Sequence, residues 1–204
     1  LVSTIRTRVE QAKGEMNVLQ RQLSDFETKY EQENKTLEYI QEAQQILQQT
    51  AKQTQNKLSF HISEFITSAL QSIWGEQAYA FELRFVEKRN KTEVEMLLKT
   101  EDGEISLDNL NNIRSGGGVL DVVALALRIA LWSLQPNKQK VLILDQPLSN
   151  LDQNHLPKAG ELITELSRKL DMQFLMINHN PALADIADKT LFVEKVEGVS
   201  KVRS

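Results

Sequence analysis

Apolar side chains recur from the start of the chain at alternating spacings of three and four residues. Val2, Ile5, Val9, Ala12, Met16, Leu19, Leu23, Phe26 and Tyr30 keep the pattern without a break. It continues through Leu37, Ile40, Leu47, Ala51 and Leu58, with Glu33, Gln44 and Thr54 as polar interruptions. About eight heptads of so narrow a stripe describe one strand of a coiled coil. At 1.5 Å per residue the helix would be on the order of 85 Å long. The stripe cannot bury itself, so a partner helix is expected. The alternative, one amphipathic helix lying on a globular core, is disfavoured because globular helices rarely exceed about 25 residues. The Gln-rich stretch from Gln41 to Gln55 keeps the register and reads as a solvated coil face.

Near Leu58 the stripe widens. Ile62, Phe65, Ile66, Ala69, Leu70, Ile73 and Trp74 cover a face broad enough to pack on a domain, and Gly75 ends the helix. The pattern then changes to period two. Tyr79, Phe81, Leu83 and Phe85 alternate with polar residues, and so do Val94, Met96 and Leu98 in large part. Two strands are predicted, joined at Arg89-Asn90-Lys91, with Asp102-Gly103 as the next turn. Further on, Val119 to Leu134 predicts a buried helix, and Val141 to Leu144 a short, fully buried strand. Leu156 to Leu170 predicts a helix with Pro157 in its first turn. Phe174 to Ile177 predicts a second buried strand, Pro181 to Ala187 a short helix, and Leu191 to Val193 the start of a last strand. Alternating strands and helices predict an α/β fold with a mainly parallel sheet covered on both faces. Two domains follow, a coil strand over 1–57 and a globular lobe over 58–204.

Composition narrows the function. Hydrophobic residues make up 41% of the 204 and charged residues 25%, enough for a packed core in part of the chain. A net charge of -4 argues against wholesale coating of nucleic acid. Without cysteine there is neither a disulfide framework nor a thiolate metal site, and three scattered histidines make structural zinc a poor fit. No apolar run reaches the ~20 residues that span a bilayer. The neutral opening Leu1-Val2-Ser3-Thr4 reads as neither a signal peptide nor a translation start, so a cytosolic piece with upstream sequence elsewhere is expected.

Four short segments carry the chemistry. Ser115-Gly116-Gly117-Gly118 precedes a helix, where unpaired N–H groups and the helix dipole suit a phosphate and glycines allow close approach. Taken alone, a glycine run is more often a flexible loop. Val141 to Asp145 puts one carboxylate at the carboxyl end of a strand, where α/β sheets bind ligands and where Asp145 could hold Mg²⁺ through water; taken alone, an Asp that starts a turn before Pro147 explains it equally. Gln146 follows. Its carboxamide can keep the hydrogen bonds of a carboxylate but cannot take a proton from water as a general base. Ser149-Asn150-Leu151-Asp152 adds a polar loop with a second carboxylate, and His179 ends the next buried strand, where it could bond a γ-phosphate, although a lone His after a strand is more often only a loop residue.

In this order the segments resemble the C-terminal lobe of ABC-type P-loop ATPases. Ser115 to Gly118 matches the signature motif, Val141 to Asp145 the Walker B strand, Ser149 to Asp152 the D-loop, and His179 the switch histidine. The coil narrows the resemblance to SMC-like ATPases, most closely the SbcC-type enzymes of DNA double-strand-break repair. Two departures stand out: Gly118 replaces a usual Gln or Glu, and Gln146 replaces the catalytic Glu. Gln146 implies a hydrolysis-impaired form. It is either a weak natural hydrolase or a residue substituted to hold ATP, and the intact remainder of the motif favours the second. No G-x-x-x-x-G-K-[ST] loop occurs in the chain.

The resemblance implies ATP and Mg²⁺ as cofactors. Asp145 would position the metal, position 146 would activate water, and His179 would sense the γ-phosphate. Ser115, Gly116, Gly117 and Gly118 would contact ATP held by an opposite head, Asp152 would reach across the dimer, and Arg128 would couple nucleotide state to movement. The implied partners are an N-terminal half bearing the Walker A loop, a second head, an SbcD-type nuclease and DNA, but no membrane. The implied location is cytoplasmic and nucleoid-associated, or nuclear in a eukaryote. Lys138, Lys140, Arg168 and Lys169 are candidate DNA contacts, although such charges are more often simply solvated. Rival readings are a RecN-like or phage-defence ATPase without a nuclease, a non-hydrolysing ATP-dependent clamp, and a transporter subunit, which the coil disfavours.

Overall fold

The computed structural model describes residues 2–76, 78–89, 91–110, 116–136 and 139–203. It divides into two compact units, Leu1–Thr54 and Gln55–Ser204. One helix, α1 (Val2–Trp74), begins in the first unit and ends in the second. In the first unit the predicted seam lies in water: Leu19, Leu23, Phe26, Tyr30, Ile40 and Leu47 are all exposed.

In the second unit the widened face of α1 goes into the core, and Ile66, Leu70 and Ile73 are fully buried. Gly75 adopts a positive φ of 103° and donates its N–H to Gln71 O at 2.8 Å, which closes the helix as glycine does at low steric cost. Strands β1 (Ala80–Lys88), β2 (Lys91–Thr100) and β3 (Gly103–Ser106) form an antiparallel meander. Its inner face pairs Phe81 with Leu98, Leu83 with Met96 and Phe85 with Val94, as the alternation predicts. β3 extends the sheet beyond the turn at Asp102-Gly103, opposing Ile105 to Leu98. On the outer face Lys99 lies 2.6 Å and Arg84 2.9 Å from Glu82 carboxylate oxygens. The Lys99 hydrogen bond, with Arg84 adding to it, holds the Glu82 carboxyl below its usual range against the opposing effect of burial.

A row of α1 hydroxyls covers the free edge of β1. Leu83 N donates to Ser63 Oγ at 2.9 Å, Phe81 N donates to Thr67 Oγ1 at 2.9 Å, and Ser59 Oγ donates to Leu83 O. Residues 59, 63 and 67 are four apart, so they lie on one helix face and meet a strand edge in register. The helix thus does for this edge what a neighbouring strand would do.

A short helix, α2 (Leu107–Leu110), leads on, and α3 (Gly117–Ser133) buries Val122, Val123, Leu125, Ala126 and Ile129. β4 (Val141–Asp145) and β5 (Gln173–Ile177) pair in parallel, joined by α4 (Leu156–Leu170). Helix α5 (Pro181–Ala184) precedes the antiparallel hairpin of β6 (Phe192–Val196) and β7 (Val199–Arg203). The α/β class therefore holds, and the observed elements refine the expectation in four respects. Parallel pairing among the described strands is confined to β4–β5, because tight turns join the other strands and tight turns give antiparallel pairs. These two strands are covered on one face only: Leu144 is buried, whereas Val141, Ile143, Leu175 and Ile177 are exposed. The predicted helix to Ala187 stops at Ala184, and the last strand is a hairpin of two.

Candidate functional site

β4 delivers Asp145 to its carboxyl end, exposed, and the chain then turns sharply. Gln146 and Leu148 both take left-handed backbone conformations, with φ of 45° and 64°. For residues with a Cβ this costs on the order of 1–2 kcal/mol each. Surrounding contacts hold the turn in place. Gln146 N donates to Ile177 O at 2.8 Å, and Leu148 and Leu151 are both buried in the core. Side chains at such a turn are aimed by the backbone rather than by their own rotamer preferences.

The turn directs Gln146 at His179, just beyond β5. Gln146 Nε2 lies 3.4 Å from His179 Nε2. As placed, the amide donates to an unprotonated Nε2; with the amide turned over, Oε1 accepts from a protonated one. The two candidate residues from separate strands are therefore brought together. They line a polar cavity of about 390 Å³ with Leu148, Ser149, Gln153, Asn178, Asn180 and Pro181. Amides, a hydroxyl and an imidazole make its polar wall, and no lysine or arginine is among its lining residues. Ser149 belongs to the polar loop singled out in the sequence, whereas Gln153, Asn178 and Asn180 are additions to that reading. Asn180 caps α5 by accepting from Ala182 N at 3.0 Å, and Asn178 Oδ1 accepts from Asn180 N at 2.7 Å.

The glycine run meets the loop after β4. Asn150 N donates to Asp121 Oδ2 at 2.7 Å, and Asn150 Nδ2 donates to Asp121 Oδ1 at 3.2 Å, so α3 grips Asn150 with both carboxylate oxygens. A Cβ at Gly117 would lie 2.9 Å from Asn150 Cβ. One at Gly118 would lie 3.1 Å from Asn150 O and 3.2 Å from Leu151 Cα. Gly118, the departure noted in the sequence, thus gives the loop room to pack against the start of α3. Gly116 is buried and its carbonyl accepts from Leu120 N at 3.1 Å. Ser115 lies outside the described residues, as does Lys138.

Asp152 does not line the cavity. Its Oδ1 accepts from Asn154 N at 3.0 Å and His155 N at 3.2 Å, and its Oδ2 from His155 Nδ1 at 2.7 Å. The His155 hydrogen bond holds the Asp152 carboxyl below its usual range. Arg128 is exposed on α3. Of the basic candidates, Lys140 pairs with Asp171 and Lys169 with Glu165, as surface charges commonly do.

The residues fit a metal that arrives with a nucleotide. Among the described residues no group of three or more His, Cys, Asp or Glu could hold an ion alone. Asp145, adjoining Gln146, offers one carboxylate, and Mg²⁺ on a nucleotide needs only one or two carboxylates beside phosphate and water oxygens. No helix among the described residues is long and apolar enough to cross a membrane.

No family model matches the chain. Curated relatives do. A DNA double-strand break repair Rad50 ATPase of Archaeoglobus fulgidus is 39% identical over 88 residues, 43% of this chain and 10% of the relative. A Rad50 ATPase of Sulfolobus acidocaldarius is 30% identical over 162 residues, 76% of this chain and 17% of the relative. An ATP-binding protein for Fe(3+) import from Vibrio cholerae is 31% identical over 136 residues, 64% of this chain and 36% of the relative. The chain therefore spans between a tenth and about a third of the length of these relatives. Among solved structures, an Smc head domain with coiled coil and joint from Pyrococcus yayanosii superposes with a TM-score of 0.60 at 21% identity, covering 82% of this chain and 30% of that one. A structure from work on ATP-driven dimerization and DNA-stimulated activation of SMC ATPases gives 0.55 at 23% identity, covering 70% and 81%. In sequence and in fold, then, this is an SMC/Rad50-like chain of the ABC-ATPase type.

Proposed function

We propose that the chain is the C-terminal lobe and one coil strand of an ATPase head that binds ATP–Mg²⁺ jointly with a Walker A-bearing half and a second head. In this reading it acts on DNA double-strand breaks beside a nuclease. The observation that carries it is the cavity between Gln146, His179 and the loop at Ser149–Gln153. Its wall offers hydrogen bonds to phosphate oxygens but no cation to balance their charge. A site of this kind needs a lysine loop from elsewhere, and this chain contains none. The exposed face of β4–β5 and the exposed α1 seam are two further surfaces that such a half, with its own coil helix, would cover.

In the assembled site Asp145 would hold Mg²⁺, whose bound form neutralises charge on the phosphates. His179 would bond the γ-phosphate, Gln146 would orient water, and Ser115 and Gly117 would face ATP of the opposite head. Asp152 would shape the loop presented to that head, and Arg128 would couple closure to movement. Gln146 also favours a second reading, an ATP-dependent clamp that closes without turnover. One comparison separates them. The protein assembled with its Walker A half should double in mass with saturating ATP–Mg²⁺ by light scattering. Gln146→Glu should then raise turnover by roughly 10²–10⁴-fold, the usual worth of a general base. A monomer under those conditions overturns both readings, and a dimer with unchanged turnover leaves the clamp. Co-purification of a nuclease separates a repair complex from a nuclease-independent ATPase.

A further inference from the structure

We propose that His155 is a positioning residue that ties the Ser149–Asp152 loop to the end of α1, so that the loop's geometry and the position of α1 are read as one variable. The proposal rests on the reading above, in which this loop faces a second ATP-bound head. His155 Nδ1 donates to Asp152 Oδ2 at 2.7 Å. The ring of His155 stacks on Trp74 with centroids 5.3 Å apart and planes tilted by 36°. Trp74 is the last residue of α1; it also meets Tyr79 edge-on at 5.5 Å and packs against the core. His155 is the N-cap of α4, and in the first turn of that helix Lys158 Nζ donates to Ile73 O at 3.2 Å, meeting one of the carbonyls that a helix end leaves unpaired. The N-cap residue and the first turn of α4 thus hold the last two residues of α1.

The far side of the loop is held by α3. Asp121 grips Asn150, Gly117 admits the Asn150 side chain, and Gly118 admits the backbone at Asn150 and Leu151. The loop is suspended between the start of α3 and the end of α1. Its apolar anchors, Leu148 and Leu151, are buried, so it cannot take up a shift at one end by loosening in the middle. A displacement of Trp74 carries His155, and His155 carries the Asp152 carboxylate. Coupling of this kind is reciprocal: a second head that favours one loop geometry favours the matching position of α1.

The test uses the full-length protein assembled with its Walker A half and compares wild type, His155→Ala, Trp74→Leu, the double variant and Trp74→Phe. ATP-dependent dimerisation is measured by light scattering, nucleotide affinity with a fluorescent ATP analogue at concentrations too low for dimers, and the thermal midpoint by calorimetry. The expected result is that His155→Ala and Trp74→Leu each weaken ATP-driven dimerisation by about tenfold. Nucleotide affinity and thermal midpoint stay near wild type, and the double variant is no worse than either single. Trp74→Phe, which keeps a ring for His155 to stack on, dimerises like wild type. If the wild type dimerises and the variants match it, the positioning role is overturned and the ATPase reading stands. Additive losses, or losses that track a fall in thermal midpoint, also overturn it, because they assign the two residues to separate or purely structural roles. A wild type that stays monomeric with ATP overturns the underlying reading and this proposal with it.

Discussion

At the scale of single residues, the glycine run shows how one motif can serve two purposes. Glycines before a helix let an anion approach its N–H groups, and that was the ground for expecting a phosphate contact. Gly117 and Gly118 meet a more immediate demand, since the Asn150 side chain and the Asn150–Leu151 backbone occupy the space their side chains would need. Gly118→Gln, which restores the residue type usual in the resembled family, should therefore push the loop away from α3. The expected cost is about 1–3 kcal/mol in chemical denaturation, as for other overpacked sites. A variant as stable as wild type would show that the loop can stand off without loss. Gln146 makes the complementary point. A carboxamide in place of a carboxylate was visible at once, but not that its backbone sits at a φ of 45° and aims the amide at His179.

At the scale of elements, α1 changes character along its length. Its first part leaves a two-residue-wide stripe in water, and its last part contributes Ile66, Leu70 and Ile73 to the core. The hydroxyl row of Ser59, Ser63 and Thr67 joins this last part to the edge of β1. Thr67→Val keeps the shape of the side chain and removes the oxygen that accepts from Phe81 N. It should destabilise the lobe by about 1–3 kcal/mol, the penalty for an unpaired N–H withdrawn from water. Hydrogen exchange at the Phe81 amide is the direct readout, and unchanged protection there would refute the account. The helix stripe and the β1–β2 alternation were both legible, because each is a local period. The hydroxyls were not, because polar residues on a helix are usually solvated and only the folded chain brings a strand edge to them.

At the scale of the whole molecule, apolar surface points to what else the chain requires. Strands that are apolar on both faces need two covering layers. The described elements supply one, so Ile143 and Ile177 remain 67% and 55% exposed. If the Walker A half covers them, Ile143→Glu should abolish co-purification with that half, because a charge would be buried without a partner. The thermal midpoint of this lobe alone should barely move, since the side chain is already in water. Retained co-purification would place the partner on another surface.

The sequence by itself determined the coil strand, the first hairpin, the helices α3 and α4, and the order of the candidate segments. These are local periods and spacings, and a chain carries them wherever it folds. Only the tertiary structure decided that Gln146 and His179 share a cavity, that Asp121 holds Asn150, that His155 joins Asp152 to Trp74, and that one face of β4–β5 stays open. Each of these joins residues far apart in sequence, or records which surface is covered. Close packing settles such matters by bringing distant side chains within reach, and no spacing along the chain encodes them.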